Sequence, residues 1–255
     1  MLQEAAMKLV TFNIRYDCGT DGINNFSCRK PYILEAIARE KPDVIGFQEV
    51  LPHVAVWLKE NLTDYYVVGC PRCEDLTGEQ VCIAFRPDRF NLMKMDTFWL
   101  SPTPYVPGSR YPEQSICPRT CTEVVLQELS SGKILRMLNT HLDHEGSLAR
   151  LLGVRQILNR LDSEEFFPEA PVVLVGDLNA EPDSPEMELL AANLCNVTEG
   201  IGITFHNYNR DHQCAIDYIY TRGGIEASDP RKWDECRNGV YLSDHYPVSC
   251  GLTLL

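Results

Sequence analysis

Val172-Val173-Leu174-Val175-Gly176-Asp177-Leu178-Asn179-Ala180-Glu181-Pro182 is the stretch on which the fold turns. Four consecutive aliphatics between a proline and a glycine predict a buried central strand, apolar on both faces. Immediately after Gly176 the chain delivers a carboxylate, Asp177, and an amide, Asn179, and then a helix start at Ser184-Pro185-Glu186. Ligands of open α/β sheets bind in the crevice beyond the carboxyl ends of the strands. The two-residue period of a strand puts Asp177 and Asn179 on the same side there. Glycine, aspartate and asparagine also favour plain turns, so this stretch alone leaves both readings open.

Similar strands lie on either side of it. Lys8–Arg15 carries Leu9, Val10, Phe12 and Ile14 around Asn13, and Val44–Glu49 is a second apolar run ending in a carboxylate. Between them Arg29-Lys30-Pro31 is expected to open a helix with Ile33, Leu34, Ile37 and Ala38 on one face. Further strands are expected at 65–68, 80–86 and 90–100, a hairpin at 120–129 and 133–141, and a helix from Ser147. Residues 101–119, with five prolines, and 204–214 are irregular, and 229–238 reads as a polar loop. A last strand, Pro247–Leu254, alternates Val248, Cys250, Leu252 and Leu254. Hairpins mixed with crossover helices mean mixed sheets, in one domain over residues 7–255 preceded by a short extension, 1–6.

Composition sets limits on partners. At 44% hydrophobic and 23% charged, the 255 residues are those of an ordinary globular chain. No apolar run is long enough for a membrane span, and no secretory leader is apparent, so a cytoplasmic monomer is expected. Eleven cysteines then default to free thiols. Cys70, Cys73, Cys117 and Cys121 could supply four zinc ligands, but their flanks lack a compact knuckle pattern. The net charge is −13, and no basic run is longer than Arg29-Lys30 or Arg231-Lys232. Nucleic acid is therefore a poor default partner, whereas a small phosphorylated ligand held through a metal ion is compatible.

Polar residues recur at strand ends: Asn13, Glu49, His141 with Asp143, Asp177 with Asn179, Asp217, and Asp244 with His245. Each has a plain explanation singly, as a core amide, a helix cap or a turn. Asp217, inside the apolar run Ala215–Ile219, demands a partner such as a histidine. Together the set is chemically coherent. Glu49 with Asp177 or Asp244 offers hard oxygens suited to Mg²⁺ or Mn²⁺. Asn179 can orient an attacking water, His245 steered by Asp217 can carry a proton, and His141 can meet the phosphate or the leaving group. Arg119, where the proline-rich loop meets a strand, is either a phosphate clamp or a salt bridge holding that loop.

Thr11-Phe12-Asn13-Ile14-Arg15, Gln48-Glu49-Val50, Asn139-Thr140-His141-Leu142-Asp143, Gly176-Asp177-Leu178-Asn179, Ile216-Asp217-Tyr218-Ile219 and Ser243-Asp244-His245-Tyr246-Pro247-Val248 resemble, in order, the motifs of the endonuclease/exonuclease/phosphatase superfamily. The resemblance runs from residue 7 to the end of the chain. It implies a four-layer α/β/β/α sandwich of the deoxyribonuclease I type and Mg²⁺-dependent hydrolysis of a phosphoester. Carried over by motif, Asn13, Glu49 and Asp244 fall on the metal side and Asp177 and Asn179 on the nucleophile side. Asp217 with His245 forms a dyad, His141 stands beside the phosphate, and Asn13, Arg119 and Asp143 are expected to contact substrate. Arg15 departs from the acidic residue usual there in abasic-site repair enzymes. A phosphatase or phosphodiesterase for a small organic phosphate is thus the first expectation. A nuclease comes second, and a catalytically silent binding module third.

Overall fold

The computed structural model describes residues 6–255, so the expected extension over residues 1–6 lies, apart from Ala6, outside the described residues. β1 (Met7–Asn13) leads through α1 (Phe26–Glu40) into β2 (Val44–Val50), which pairs with it in parallel. α2 (Pro52–Asn61), β3 (Tyr66–Val68) and β4 (Gln80–Phe85) follow. The antiparallel meander β5 (Phe90–Trp99), β6 (Thr120–Glu128) and β7 (Ile134–His141) comes next. α3 (Ser147–Ser163) crosses to β8 (Val172–Asp177), parallel to β7. α4 (Pro185–Ala191), β9 (Cys195–Asn196), β10 (Asp217–Arg222) and β11 (Ile225–Lys232) come after it. The short ribbon of β12 (Cys236–Arg237) and β13 (Val240–Tyr241) precedes the last strand, β14 (Val248–Leu254). One six-stranded sheet has the order β11-β14-β1-β2-β4-β3, and the other β5-β6-β7-β8-β10-β9.

The strand period divides the apolar residues into three cores. Leu9 and Val44 meet Met137, Val173 and Val175 between the sheets. Val10 and Phe12, one position on, face Ile33 and Ile37 of α1 and Leu58 of α2. Val172 and Leu174 turn the other way, onto Val154 and Ile157 of α3 and Leu190 of α4. Three cores between four layers make an α/β/β/α sandwich, the architecture expected from the sequence. No helix among the described residues is long and apolar enough to cross a membrane.

A polar stitch crosses the central core. Asn139 on β7 is fully buried and donates its amide hydrogens to the carbonyls of Phe47 (2.9 Å) and Cys82 (2.8 Å) in the opposite sheet. Its oxygen accepts from Gln48 at 2.7 Å. Nearby, a Cβ on Gly176 would lie 2.0 Å from the Thr140 oxygen, so only glycine allows β7 and β8 to stay this close at their ends.

Two local expectations are corrected. α1 begins at Phe26, one turn before the expected start, and carries Pro31 inside it. The missing Pro31 donor is offset by burial of Phe26 and Arg29 in that extra turn. The expected loop 229–238 contributes its first residues to β11, an edge strand kept on β14 across a bulge between Ser228 and Arg231.

Residues 204–214 are tied to the segment before β14. The His206 and Asn207 amides donate to the Asp244 carbonyl (2.9 and 3.1 Å), and the Tyr246 amide donates to that of Thr204 (2.8 Å). The buried His206 ring stacks on Tyr246, with centroids 4.1 Å apart, and neither ring nitrogen has a hydrogen-bond partner. Burial therefore pushes its pKa down from 6.5 to about 4. The unfolded chain takes up this proton near pH 6.5, the folded chain only near pH 4. Stability is expected to fall as pH drops through that window. In melting curves across this range, His206→Phe should flatten the pH dependence of the Tm; an unchanged slope would contradict the assignment.

Candidate active site

The carboxyl ends of the two parallel pairs, β1/β2 and β7/β8, lie on the same side of the sandwich and bring the strand-end residues together. Asn13, at the end of β1 and fully buried, donates its amide to Glu49 Oε1 and to Asp177 Oδ2, both at 2.9 Å, and so bridges the sheets. Glu49 interrupts the β2–β4 register with a left-handed backbone, φ 62°, and its Oε2 accepts from the Tyr16 amide at 2.8 Å. Such strain in a non-glycine residue persists only where the surroundings impose it.

Asp177 is the last residue of β8 and lies opposite Asp217, the first of β10. Asn179 reaches the site by a different route from the expected strand alternation. Its backbone is left-handed, φ 47°, and its amide N–H closes onto Asp177 Oδ1 at 3.0 Å. Its side-chain nitrogen donates to the Leu142 carbonyl (3.0 Å), which leaves the amide oxygen for the cavity. Asp217 has the expected partner: Oδ2 is 2.8 Å from His245 Nδ1, while Nε2 of that ring lies 3.7 Å from Asp177 Oδ2. His141, the last residue of β7, has Nε2 at 3.4 Å from the same oxygen.

These contacts give the groups different proton affinities. Burial opposes charge on His245, but the Asp217 charge and hydrogen bond, with Asp177, overcome it and push the pKa up to about 10. Burial, followed by the charges of Arg119 and Arg72, holds His141 well below its ordinary value, so its ring is neutral. Burial raises Asp177 to about 7, against His245 and with Asp217. It also raises Asp244, to which the charge of Glu49 adds. Glu49 itself is held below its ordinary value, because His245 and the donors Asn13 and Tyr16 outweigh burial.

A cavity of about 760 Å³ opens over these residues, within the range of small-molecule sites. His141, Asp177, Asn179, Asp244 and His245 line it together with Arg119, while Asn13 and Asp217 support them from behind. Asp143 faces elsewhere: its oxygens accept from the Ser115 amide and hydroxyl and from the amides of Glu145 and Gly146. In this position it fastens the 101–119 loop to the turn before α3. Arg15 lines the cavity with Nη1 3.5 Å from Asp244 Oδ2, and it also pairs with Asp21 at 3.2 Å. Arg72, Glu79, His144, Arg150 and Phe205 also line the cavity, and the sequence reading singled out none of them. They lie on loops or the first turn of a helix, where no pattern marks a side chain as facing a site. Neither metal-competent group among the described residues includes a cysteine, and Cys121 is buried in β6.

A model of the Endonuclease/Exonuclease/phosphatase family matches residues 10–245. The chain belongs to that family. It is 25% identical to human tyrosyl-DNA phosphodiesterase 2 over a 276-position alignment that covers 97% of this chain and 68% of that protein. An endonuclease/exonuclease/phosphatase from Bacteroides vulgatus superposes with a TM-score of 0.92 at 29% identity, over 99% of this chain and 100% of its own. The mannosyl-6-phosphatase Bt3783 of Bacteroides thetaiotaomicron shares the fold with a TM-score of 0.88 at 24% identity, over 98% and 100%.

One buried cation holds two edges of this family site in place. Arg29 in α1 is fully buried, yet it has no carboxylate among its hydrogen-bond partners. Its guanidinium donates to the carbonyls of Asn24 (2.7 Å), Ile14 (2.6 Å), Leu242 (2.9 Å) and Arg15 (3.1 Å). Ile14 follows Asn13, and Leu242 precedes Asp244 and His245 by two and three residues, so one side chain fixes both segments. Only a planar fork can serve four carbonyls at once. Arg29→Met would strand those carbonyls, each at a cost of about 1–3 kcal/mol where water cannot replace the donor. The Tm is expected to fall by roughly 5–10 °C or more, and Arg29→Lys should recover only part of it. A melt within about 2 °C of the parent would refute the staple.

Proposed function

We propose that this protein is a metal-dependent hydrolase of phosphate esters, acting on a small organic phosphate by in-line attack of water. The observation that carries the reading is the convergence of Asn13, Glu49, Asp177 and the Asp217–His245 dyad in one hydrogen-bonded cluster. The cluster fits Mg²⁺ or Mn²⁺. Glu49, Asp177 and Asp244 are hard-oxygen donors crowded in a buried space, where burial first, and the Glu49 charge with it, raise the proton affinity of the two aspartates and a cation would relieve them. Ligand atoms of Glu49, His141 and Asp177 lie within 4.8 Å of one another. Glu49, with Asn13 and Asp244 beside it, would hold the ion, which when bound supplies Lewis-acid stabilisation of phosphoryl charge.

The chain's own groups divide the remaining work. Asp177, with a pKa near neutrality, takes a proton from water, and the free oxygen of Asn179 orients that water. His245, kept protonated by Asp217, presents Nε2–H to the developing charge on the phosphoryl oxygens. Neutral His141 stands ready to meet the phosphate or the departing oxygen. A small substrate is favoured by a cavity of bounded size in a chain of net charge −13. The named activities of the relatives, phosphodiester and sugar phosphomonoester cleavage, both occur on this fold.

Activity is expected to disappear in EDTA and return with Mg²⁺ or Mn²⁺. Glu49→Gln should weaken metal binding measured by calorimetry without lowering the Tm, and full hydrolysis in EDTA would sink the reading. His245→Ala is expected to lower kcat by at least about 10²-fold, the usual scale for loss of a donor aimed at charge developing in the transition state. Asp217→Asn should lose much of the rate while keeping the geometry. A His245→Ala enzyme of near-normal activity on a panel of phosphomonoesters, nucleotides and phosphodiesters would remove the dyad from the mechanism.

A further inference from the structure

We infer that the cavity wall formed by Arg72, Arg119, His144 and Arg150 is a subsite for a second acidic group of the substrate. On this inference, which rests on the phosphoester reading, the molecule cleaved carries another phosphate or a carboxylate near its scissile phosphate. None of the four residues is used in the steps above, and they come from three separate segments. Arg72 lies in the turn between β3 and β4, Arg119 at the end of the proline-rich loop, His144 in the turn before α3 and Arg150 in its first turn.

The wall is built rather than mobile. The Arg72 amide donates to the Glu79 carbonyl at 3.0 Å, and the Arg72 carbonyl accepts from Trp99 Nε1 at 2.6 Å. Ser115 is tied to Asp143, and a Cβ on Gly146 would stand 2.7 Å from the Glu113 oxygen, so loop and turn touch directly. Arg150 Nη1 donates to the Asp143 carbonyl at 3.1 Å. With Arg72 on Glu79 and Arg119 on His144, each at 2.9 Å, the three guanidiniums are held and would lose little freedom on taking a ligand.

Their charges are unevenly matched. Arg72 pairs with Glu79 at 2.9 Å, and Arg150 pairs with the fully buried Glu186. Arg119 has only a looser one, with Asp143 Oδ1 3.8 Å from its Nε. Its side chain is 5% exposed, Nη2 donates to His144 Nδ1 at 2.9 Å, and Nε and Nη1 have no hydrogen-bond partner. The Asp143 carboxylate is shared: Oδ1 also accepts the Ser115 hydroxyl, and Oδ2 accepts the amides of Ser115, Glu145 and Gly146. Burial and the like charge of Arg72 both act against the Arg119 cation. A salt bridge that merely held the loop would give this guanidinium a carboxylate of its own. The geometry instead leaves a planar cation short of an oxyanion, the partner that guanidinium forks bind most directionally. Arg72 and Arg119 also line one recess together with Glu49 and His141, so this subsite adjoins the place of the reacting phosphate.

The test compares substrates that differ in the second group, assayed on the full chain with Mg²⁺. Glycerol 3-phosphate is set against 3-phosphoglycerate, and fructose 6-phosphate against fructose 1,6-bisphosphate. The doubly acidic member of at least one pair is expected to have at least about tenfold higher kcat/KM, mostly through KM, an energy difference of about 1.4 kcal/mol. The pair that responds identifies carboxylate or phosphate as the second group. Arg119→Met and Arg72→Met should each bring that ratio towards one, with Arg119→Lys retaining part of it, in proteins whose melting curves confirm folding. Hydrolysis of all four esters with ratios near one, or a ratio that survives both substitutions, overturns the subsite while leaving the phosphoester reading intact. If none is hydrolysed, calorimetry of EDTA-treated protein with malonate and with inorganic phosphate decides. Binding at least about fivefold weaker in Arg119→Met supports the subsite, and equal or absent binding overturns it.

Discussion

The buried amide of Asn139 is the contact on which the other geometry depends. Its hydrogens satisfy carbonyls of β2 and β4 and its oxygen accepts from Gln48, so β7 and β2 are held in one register across the central core. An apolar core alone tolerates sliding of one sheet over the other, because dispersion is not directional. A buried amide is not tolerant, since each lost partner leaves a polar group without water. Two residues beyond Asn139 is His141, and one beyond Gln48 is Glu49. The stitch thus sets the distance across which Asn13 bridges Glu49 and Asp177.

That spacing also explains why the two histidines differ. His245 is backed by Asp217 and faces Asp177, so carboxylates surround it and its proton is retained. His141 approaches the same Asp177 oxygen from the neighbouring strand of its own sheet, but burial and then the charges of Arg119 and Arg72 hold it neutral. Two imidazoles on one carboxylate are driven to opposite states by what stands behind each ring. Divergent proton affinities of this kind are what separates an electrostatic stabiliser from a neutral hydrogen-bonding group at one pH.

Much of this was legible in the sequence, for identifiable reasons. Val172–Val175 had to be a central strand because it is apolar on both faces, and Asp217 needed a partner because a lone carboxylate beside Tyr218 and Ile219 would be costly. Ordered motifs then carried the sandwich and the strand-end set. Tertiary contacts decided what the sequence did not reveal. Phe26 and Arg29 bury an extra helical turn ahead of Pro31, overriding the preference of proline for a first turn. Asn179 meets the cavity through a left-handed turn onto Asp177, although strand alternation put it on the same side by another route. Arg72 and Arg150 carry no local signature, because a loop or first-turn arginine reads identically whether it faces solvent or a site.

The distribution of charge completes the picture. A chain of net charge −13 keeps four arginines, Arg15, Arg72, Arg119 and Arg150, around one cavity, where they face Glu49, Glu79, Asp177, Glu181 and Asp244. With His245 protonated, the lining charges balance, and a bound divalent cation would make the cavity locally positive. The chain as a whole stays acidic. A polyanion lying across it meets repulsion over most of its length, and only the segment at the mouth gains attraction. A small anion enters the positive region entirely and leaves the rest of that charge behind. On the function proposed above, these charges would favour a compact phosphate over an extended nucleic acid, because low-dielectric walls focus the field inside the cavity while solvent and salt screen it outside.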